Sequence, residues 1–496
     1  NMGLVINAPL MEGRLAGRLA LYRDDQGGYI DNVAGTFQAD NSINPTFPGD
    51  TVTFAEGTQF ADGSVVGAGG LTVPVSKAVA NNNDLLEDDF NDATYEGARL
   101  GLKYVLNDEW DVLVQYSEQS LQSEGVFDYD PTVGDLEVNR YTPDSLDDEF
   151  SQTAWTVNGR LGDLDLIYTG AFLDREVAAN IDYTGYTNIG KFISGYQCEY
   201  LVGSYYNGLS SDTSTFYTFD PTIGGDPAVI ECGTPANAAR IENENTRWTH
   251  EARVASNFAG PFNFQAGVYY EDFEIKHIGD FNYQAPIAAG FAGIDINSSS
   301  TFSNSEANAR GRVIPDTQFR NDNTRTEEQT ALFAELTYQV TDNIAITGAA
   351  RYYDLDYGFT GYGAWRYGNR PLFVDDADPS NDIRPTMTGG RDYQTNFNEL
   401  QPLNVSDTIY RFSASWTPED SNTLIYATWS EGYRPPGFNR AAAAKASYDP
   451  TANNTRDDGT ACGTDAAVDS NAATGFPGYC LPYVFESDTL ENLELG

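Results

Sequence analysis

The side chains best equipped to hold a ligand fall in one short stretch, Tyr362, Trp365, Arg366, Tyr367 and Arg370. Aromatic faces interleaved with guanidinium groups suit an anionic chelate or a sugar, because the ring face attracts cations and the planar guanidinium makes paired bonds to oxygen. The same residues serve equally as an interfacial aromatic girdle, continuing a strand that ends near Phe359. Tyr196, Tyr200, Tyr205 and Tyr206, gathered around Cys198, form a second group with the same two readings. Catalysis finds no such support. His250 lies inside an alternating run and His277 near the end of another, with neither a nucleophile nor a ligand cluster beside them. No triad, metal site or cofactor is expected, and the two read as a wall residue and a rim residue. Gly67 to Gly70 lack the strand-to-helix context of a phosphate loop.

Four cysteines fall as one pair in each of two long loop regions, Cys198 with Cys232 and Cys462 with Cys480. Even number and local pairing predict two loop-stapling disulfides in an oxidising compartment. Metal binding is the weaker reading, since there is no C-x-x-C and no histidine near a cysteine. The formal charge is −45, from 73 acidic and 28 basic residues. That excludes nucleic acid as a partner, because phosphate neutralisation needs clustered Lys and Arg. The acids concentrate at Asp84 to Asp92, Asp144 to Glu149 and Asp375 to Asp382, read as solvated loops because none has calcium-loop spacing.

The elements that must position these groups are strands. In EEQTALFAELTYQVTDNIAITGAARYYDLDY, residues 327–357, Leu332, Ala334, Leu336, Tyr338 and Val340 share one face and Gln329, Glu335, Thr337 and Gln339 the other. After a turn at Thr341, Asp342 and Asn343 the alternation resumes with Ile344, Ile346, Ala350 and Tyr352 against Thr347, Arg351 and Tyr353. Such a hairpin has one apolar and one wet side. Its runs are too long for an ordinary soluble sandwich and match the tilted strands of about ten residues that cross a bilayer. The same plan recurs as hairpins 2–24, 93–120, 150–184, 247–278 and 407–434, joined by long loops at 25–92, 185–246, 280–326 and 440–484. Short turns at one end and long loops at the other are the asymmetry of outer-membrane barrels. Hydrophobic residues make up 40% of the 496, mean hydropathy is negative, and no apolar run reaches the length of a membrane helix. The fold class read from this pattern is all-β, a transmembrane antiparallel β-barrel with short periplasmic turns and long extracellular loops. About thirteen strands are expected, an odd number that a closed bacterial single-chain barrel does not adopt.

LIYATWSEGYRPPGFNR, residues 424–440, resembles the mid-barrel motif of TonB-dependent outer-membrane receptors, carried by Gly432, Tyr433, Arg434, Pro435, Pro436, Gly437, Phe438 and Asn439. Pro435, Pro436 and Gly437 would also break the strand and direct the chain at the rim, with Arg434 placed to meet lumen acids. RLAGRLALYRDDQGGYIDN (14–32) looks like the family's first hairpin after the plug, and WTHEARVAS (248–256) like its Glu-x-Arg-x-x-Ser strand. TALFAELTYQVTDNIAITGAARYYD (330–354) looks like its Phe-x-Glu hairpin, and ESDTLENLELG (486–496) like the start of a further strand.

The resemblance implies a 22-stranded barrel filled by an N-terminal plug, importing a siderophore-type chelate, a vitamin or a glycan. A TonB-type energy-coupling protein would pull on a motif ahead of the plug. On that reading residues 1–496 are a partial barrel, about strands 2 to 14 of 22, with plug and final strands outside this sequence. The expected setting is the outer membrane of a Gram-negative bacterium, in contact with lipid and lipopolysaccharide. The alternative is a passive porin or structural barrel without a plug. A strongly acidic lumen is expected from the overall charge, which argues against a highly anionic substrate.

Overall fold

Runs that alternate apolar and polar residues form long antiparallel strands here, because a period of two sends every second side chain to the same face. The computed structural model describes residues 1–38, 51–54, 56, 67–74, 79–188, 234–283, 317–365, 395–396, 402–419, 423–438, 454–455, 461–463, 466–471, 476–482 and 484–496. Among them thirteen long strands follow one another through a single sheet. They are β1 Met2–Met11, β2 Leu15–Gln26, β3 Ala93–Asn107, β4 Trp110–Glu124, β5 Ser145–Leu161, β6 Leu164–Asp182 and β7 Asn237–Ser256. The second half comprises β8 Phe262–Tyr283, β9 Thr317–Thr341, β10 Ile344–Trp365, β11 Leu403–Trp416, β12 Ile425–Arg434 and β13 Asp488–Leu495. Each pairs antiparallel with the next in sequence, and β1 and β13 are the two edges of the path. No helix among the described residues is long and apolar enough to cross a membrane.

Turn chemistry fixes one end of the sheet. Gly13 and Gly162 sit in tight turns at φ +67° and +61°, the left-handed region that a side chain disfavours. The Asn107 side-chain oxygen accepts the Glu109 N–H at 2.9 Å, and the Thr341 hydroxyl accepts that of Asn343 at 3.3 Å. These local bonds mimic backbone turns and close the hairpins in two or three residues. Register shifts between Pro9 and Met11, Val105 and Asn107, and Gln339 and Thr341 lie beside these turns, as bulges at a barrel rim do.

One face of the sheet is apolar and exposed. Leu100, Leu102, Val114, Val268, Leu332, Leu336 and Ile346 all stand open on it, which is the arrangement a lipid-facing wall requires. Where this band ends, aromatic rings gather. Phe172 lies 4.4 Å from Trp248 between ring centroids, His250 stacks on Trp248 at 6.1 Å and on Tyr168 at 6.2 Å, and the Tyr168 hydroxyl meets His250 Nδ1 at 3.0 Å. Trp248 is the ninth residue of its strand counted from the short turn, roughly 20 Å along a tilted barrel axis, where an outer interfacial girdle belongs. Past that level the same face turns acidic in cross-strand rows, Glu149 with Glu176 and Glu244, and Asp272 with Glu328 and Asp356. Like charges opposite one another cost a few tenths of a kcal/mol in water and far more in hydrocarbon, so these rows mark the end of the membrane band.

The strands run further toward the long loops than alternation alone indicates. β7 begins at Asn237 rather than 247, β8 reaches Tyr283, β9 begins at Thr317, and β10 reaches Trp365. Above the bilayer both faces are wet, so the apolar period that marks a strand disappears while the hydrogen-bond ladder continues. The acids from Asp144 to Glu149 are correspondingly not a solvated loop. Asp147, Asp148 and Glu149 lie in β5, and Asp144 is buried.

Asp144 belongs to a clasp that ties the first two long loops to the top of β6. Arg140 makes a bidentate pair with Asp144, Nε and Nη2 each 2.7 Å from a carboxylate oxygen, and donates to the Asp182 carbonyl at 3.2 Å. Asp144 also accepts the Asp182 N–H at 2.8 Å. Burial pulls the Arg140 guanidinium down, but Asp144, Asp182 and Asp128 outweigh it and its pKa is raised. Asn32, nearly fully buried, donates to the Leu85 carbonyl at 2.6 Å and accepts the Arg140 N–H at 2.8 Å, while Asn82 binds Asn32, Val33 and Gly35. Short side-chain amides here replace the ladder bonds that an irregular loop lacks.

Two outcomes test this architecture. Leu336→Arg, at mid-band on the lipid face, should destabilise the folded barrel in lipid vesicles by about 2–4 kcal/mol, while Thr337→Arg on the polar face costs about 1 kcal/mol or less. Equal costs in urea titration would contradict the assignment of faces. Asp144→Asn leaves Arg140 half-buried without its charge partner, and hydrogen exchange over 79–92 should show local opening made easier by about 3 kcal/mol, with the strand ladder unchanged.

Candidate functional site on the polar face

The face opposite the lipid band is wet, and at the long-loop end of β7 to β10 it concentrates aromatic and charged groups. Register places Arg247, Phe273, Glu327 and Tyr357 on one rung, then Thr249, Glu271, Gln329 and Leu355. The rung below holds Glu251, Tyr269, Ala331 and Tyr353. The Arg247 guanidinium lies 4.3 Å from the Phe273 ring centroid, and its Nε is 3.3 Å from Glu271 Oε1. The Tyr269 hydroxyl donates to the other Glu271 oxygen, and Arg351 stands 5.1 Å over the Tyr269 ring while donating to Gln329 Oε1 at 2.9 Å. Each guanidinium thus lies over a ring and beside a neutral or acidic oxygen.

The motif segment folds onto this wall. Pairing of β12 with β11 stops at Ser430 opposite Arg411, and beyond it the chain keeps only β13 as neighbour, up to Arg434 opposite Asp488. Freed from β11, Tyr433 stacks on Tyr353 at 3.8 Å between centroids with planes 10° apart, and its hydroxyl accepts the Gln329 amide at 2.6 Å. Tyr433, with Tyr269, Val405 and Ile409, packs against Ala331, Tyr353 and Leu355, which are buried on a water-facing wall. Pro436 and Gly437 are buried, and Phe438 lies 5.8 Å from both Tyr357 and Phe359. A Cβ on Gly437 would meet the Phe485 ring at 2.4 Å, so the approach of the 437–438 and 484–485 strands requires glycine there. Arg434 is exposed, pairs with Asp488 and lies 6.0 Å from the Phe485 ring.

The polar face is balanced in charge rather than strongly acidic, which corrects the expectation drawn from composition. Lys103 pairs with Asp111, Arg160 with Asp165, Arg175 with Asp148, Arg253 with Glu251 and Arg411 with Glu335. The acidic excess of the described residues lies instead in the outward rows above the girdle and in the loops.

Among the ligand candidates from sequence, Tyr362 and Trp365 fall in the backbone of β10, and their side chains, with all of Arg366, Tyr367 and Arg370, lie outside the described residues. So do Tyr196, Cys198, Tyr200, Tyr205, Tyr206, Cys232 and Asn439. Cys462 and Cys480 lie in short strands, Ala461–Gly463 and Phe476–Pro482, whose side chains are also outside the description. His250 is part of the outward girdle, and His277, well inside β8, meets Asn243 Oδ1 at 2.8 Å on the polar face. Sequence reasoning missed Arg247, Tyr269, Glu271, Phe273 and Gln329. Their signal was the wet half of each alternation, but which of those positions meet depends on cross-strand register. Among the described residues no group of His, Cys, Asp and Glu could hold a metal ion.

A family model described as TonB dependent receptor-like, beta-barrel, matches residues 200–471. No curated protein sequence matches. Solved structures similar to the chain include the ferric yersiniabactin uptake receptor FyuA of Yersinia pestis, at 11% identity and TM-score 0.53, covering all of this chain and 49% of that one. The ferric-catecholate import receptor Fiu of E. coli K12 follows at 9% identity and TM-score 0.45, covering 88% of this chain and 49% of that one. The siderophore receptor PiuA of Acinetobacter baumannii has 10% identity and TM-score 0.43, covering 87% and 47%. This chain therefore spans about half the length of the structures it matches.

If Tyr433 is the lid of the buried patch, a double-mutant cycle of Tyr433→Phe and Gln329→Leu should give a coupling of about 1 kcal/mol in unfolding titrations. Additive costs would show that the two side chains do not depend on one another.

Proposed function

The chain belongs to the TonB-dependent receptor β-barrel family, and from that premise we propose that it is the barrel part of an outer-membrane receptor that imports a scarce nutrient in a Gram-negative bacterium. The nutrient is a siderophore-type chelate, a vitamin or a glycan, and uptake is driven by a TonB-type coupling protein acting through an N-terminal plug. Residues 1–496 supply about strands 2 to 14 of a 22-stranded barrel. On this reading β1 and β13 pair with further strands, since an open edge in lipid leaves backbone groups unsatisfied at several kcal/mol each.

The family match carries the reading, and the geometry of the wall supports a ligand site there. The rungs around Arg247, Phe273, Gln329 and Arg351 present flat apolar faces beside oriented polar atoms. That combination takes a molecule with both hydrocarbon and oxygen-rich surfaces. Because this wall is charge-balanced, an anionic chelate is not disfavoured, and Tyr362, Trp365, Arg366, Tyr367 and Arg370 remain proposed ligand contacts. The outward apolar band meets lipid, and the acidic rows above it meet the headgroup layer and lipopolysaccharide.

The test is uptake by the full-length receptor in cells that lack it, with labelled iron chelates and oligosaccharides offered separately. Accumulation of one class should vanish with an uncoupler or without the coupling protein. Arg247→Ala with Phe273→Ala should weaken its binding about tenfold. Solute entry that persists without the coupling protein, with steady conductance in planar bilayers, would establish the passive porin instead.

A further inference from the structure

Among the described residues nearly every cation has a visible partner: a carboxylate, a carbonyl or an aromatic ring. Arg14 has the Leu106 carbonyl and the Tyr104 ring, Arg23 has Asp25 and Glu96, and Arg325 has the Phe359 ring. Arg18 on β2 and Arg99 on β3 have none. In a chain with 73 acidic and 28 basic residues, two guanidiniums left without any such partner stand against the composition.

Their surroundings are ordered. Across the β2–β3 ladder Arg18 faces Gly101, Arg99 faces Ala20 and Lys103 faces Ala16. Cations and small residues therefore alternate on both strands, and Arg18 has Arg99 and Lys103 as its two diagonal neighbours at about 7–8 Å. Gly101 and the alanines form the floor of a depression of about 660 Å³, walled by Arg18, Arg99, Lys103 and, from β4, Gln115. These side chains share the polar face, since Leu19, Leu21, Leu100 and Leu102 alternate with them toward lipid. The depression lies within the first several residues above the short turns, far below the aromatic rungs of β7 to β10. Asp111 approaches Lys103 at 3.4 Å and leaves both arginines unmatched.

We propose that Arg18, Arg99 and Lys103 form an anion-binding subsite low on the lumen wall, for a ligand bearing two or more carboxylate or phosphate groups. Arg18 and Arg99, set on a diagonal, repel one another, and a multivalent anion over the small-residue floor neutralises both while reaching Lys103, whose only acidic partner is Asp111. Arg18 and Arg99 each offer a planar fork that binds a carboxylate or phosphate in two bonds, and Lys103 adds a third charge. The anion arrives either as a free solute passing through the lumen or as acidic side chains of the receptor's own polypeptide filling it. The subsite rests on the reading that the polar face lines a lumen, and it does not depend on which nutrient is imported.

The full-length protein in detergent, labelled with an arginine-specific dicarbonyl and followed by mass spectrometry, tests this with Arg14 as the internal reference. If the ligand is a free solute, millimolar citrate or inorganic phosphate should slow labelling of Arg18 and Arg99 about fivefold or more, chloride at equal ionic strength should not, and Arg99→Gln should abolish the protection of Arg18. If the anion belongs to the polypeptide, both arginines start protected, added citrate changes nothing, and a carbodiimide couples Lys103 to a carboxylate other than Asp111. Labelling of both at the Arg14 rate, unchanged by citrate or phosphate and without such a cross-link, overturns the proposal. The readout is taken at the residues, so it stands apart from uptake: protection without transport would sink the import reading alone.

Discussion

Backbone hydrogen bonding in a medium without water is the constraint on which the rest of this structure depends. A peptide group in hydrocarbon has no solvent to bond, so each strand must give its N–H and C=O groups to neighbours throughout the band. From β1 to β13 the ladder meets this by pairing every strand with the next in sequence. Such sequential pairing needs only tight turns at one end, and Gly13, Asn107, Gly162 and Thr341 supply their local chemistry. The other end is then free of the constraint. There the loops are long, strands overrun the membrane, and buried side-chain amides such as Asn32 and Asn82 take over the bonding.

Charge follows from the same separation of media. A carboxylate on the lipid face below Trp248 would sit in hydrocarbon, and none is needed there. Opposite Trp248, where the strands leave the band, Asp272, Glu328 and Asp356 stand in line because water screens them. The polar face is different again. It is wet but confined, field lines are focused by low-dielectric walls, and an unbalanced column of charge would repel itself. Cross-strand pairs such as Arg175 with Asp148 and Arg160 with Asp165 keep that column neutral. Net composition therefore says little about the lumen of such a protein, since its acidic excess lies on other surfaces.

What could be read in the sequence divides along that line. Within the membrane band the period of two is enforced by solvent, so the 330–340 and 344–352 runs announce both their conformation and their faces. Above the band it is not enforced. Asn237 to Arg247 and Thr317 to Thr326 carry polar residues on both sides, and they look like loop until the ladder shows otherwise. Asp144 looked like one solvated acid among several because its partner Arg140 and the backbone of Asp182 are brought to it only by folding. The wall site was missed for the same reason. Arg247, Tyr269 and Arg351 are far apart in the chain, and only register sets them on neighbouring rungs.

The Gly-Tyr-Arg-Pro-Pro-Gly-Phe segment shows how a local rule becomes a tertiary feature. Pro435 and Pro436 cannot donate to a ladder, so β12 cannot continue beside β11 at their level. Pairing with β11 has already ended at Ser430, ahead of the prolines, and the Glu431 carboxylate accepts the freed Tyr410 N–H at 3.0 Å. The chain is then free to turn toward the polar face, where Tyr433 finds Tyr353 and Gln329, and Phe438 finds Tyr357 and Phe359. Gly437 permits the close approach to Phe485 that holds the turn. The packing against the wall thus follows from where the chain is released from β11.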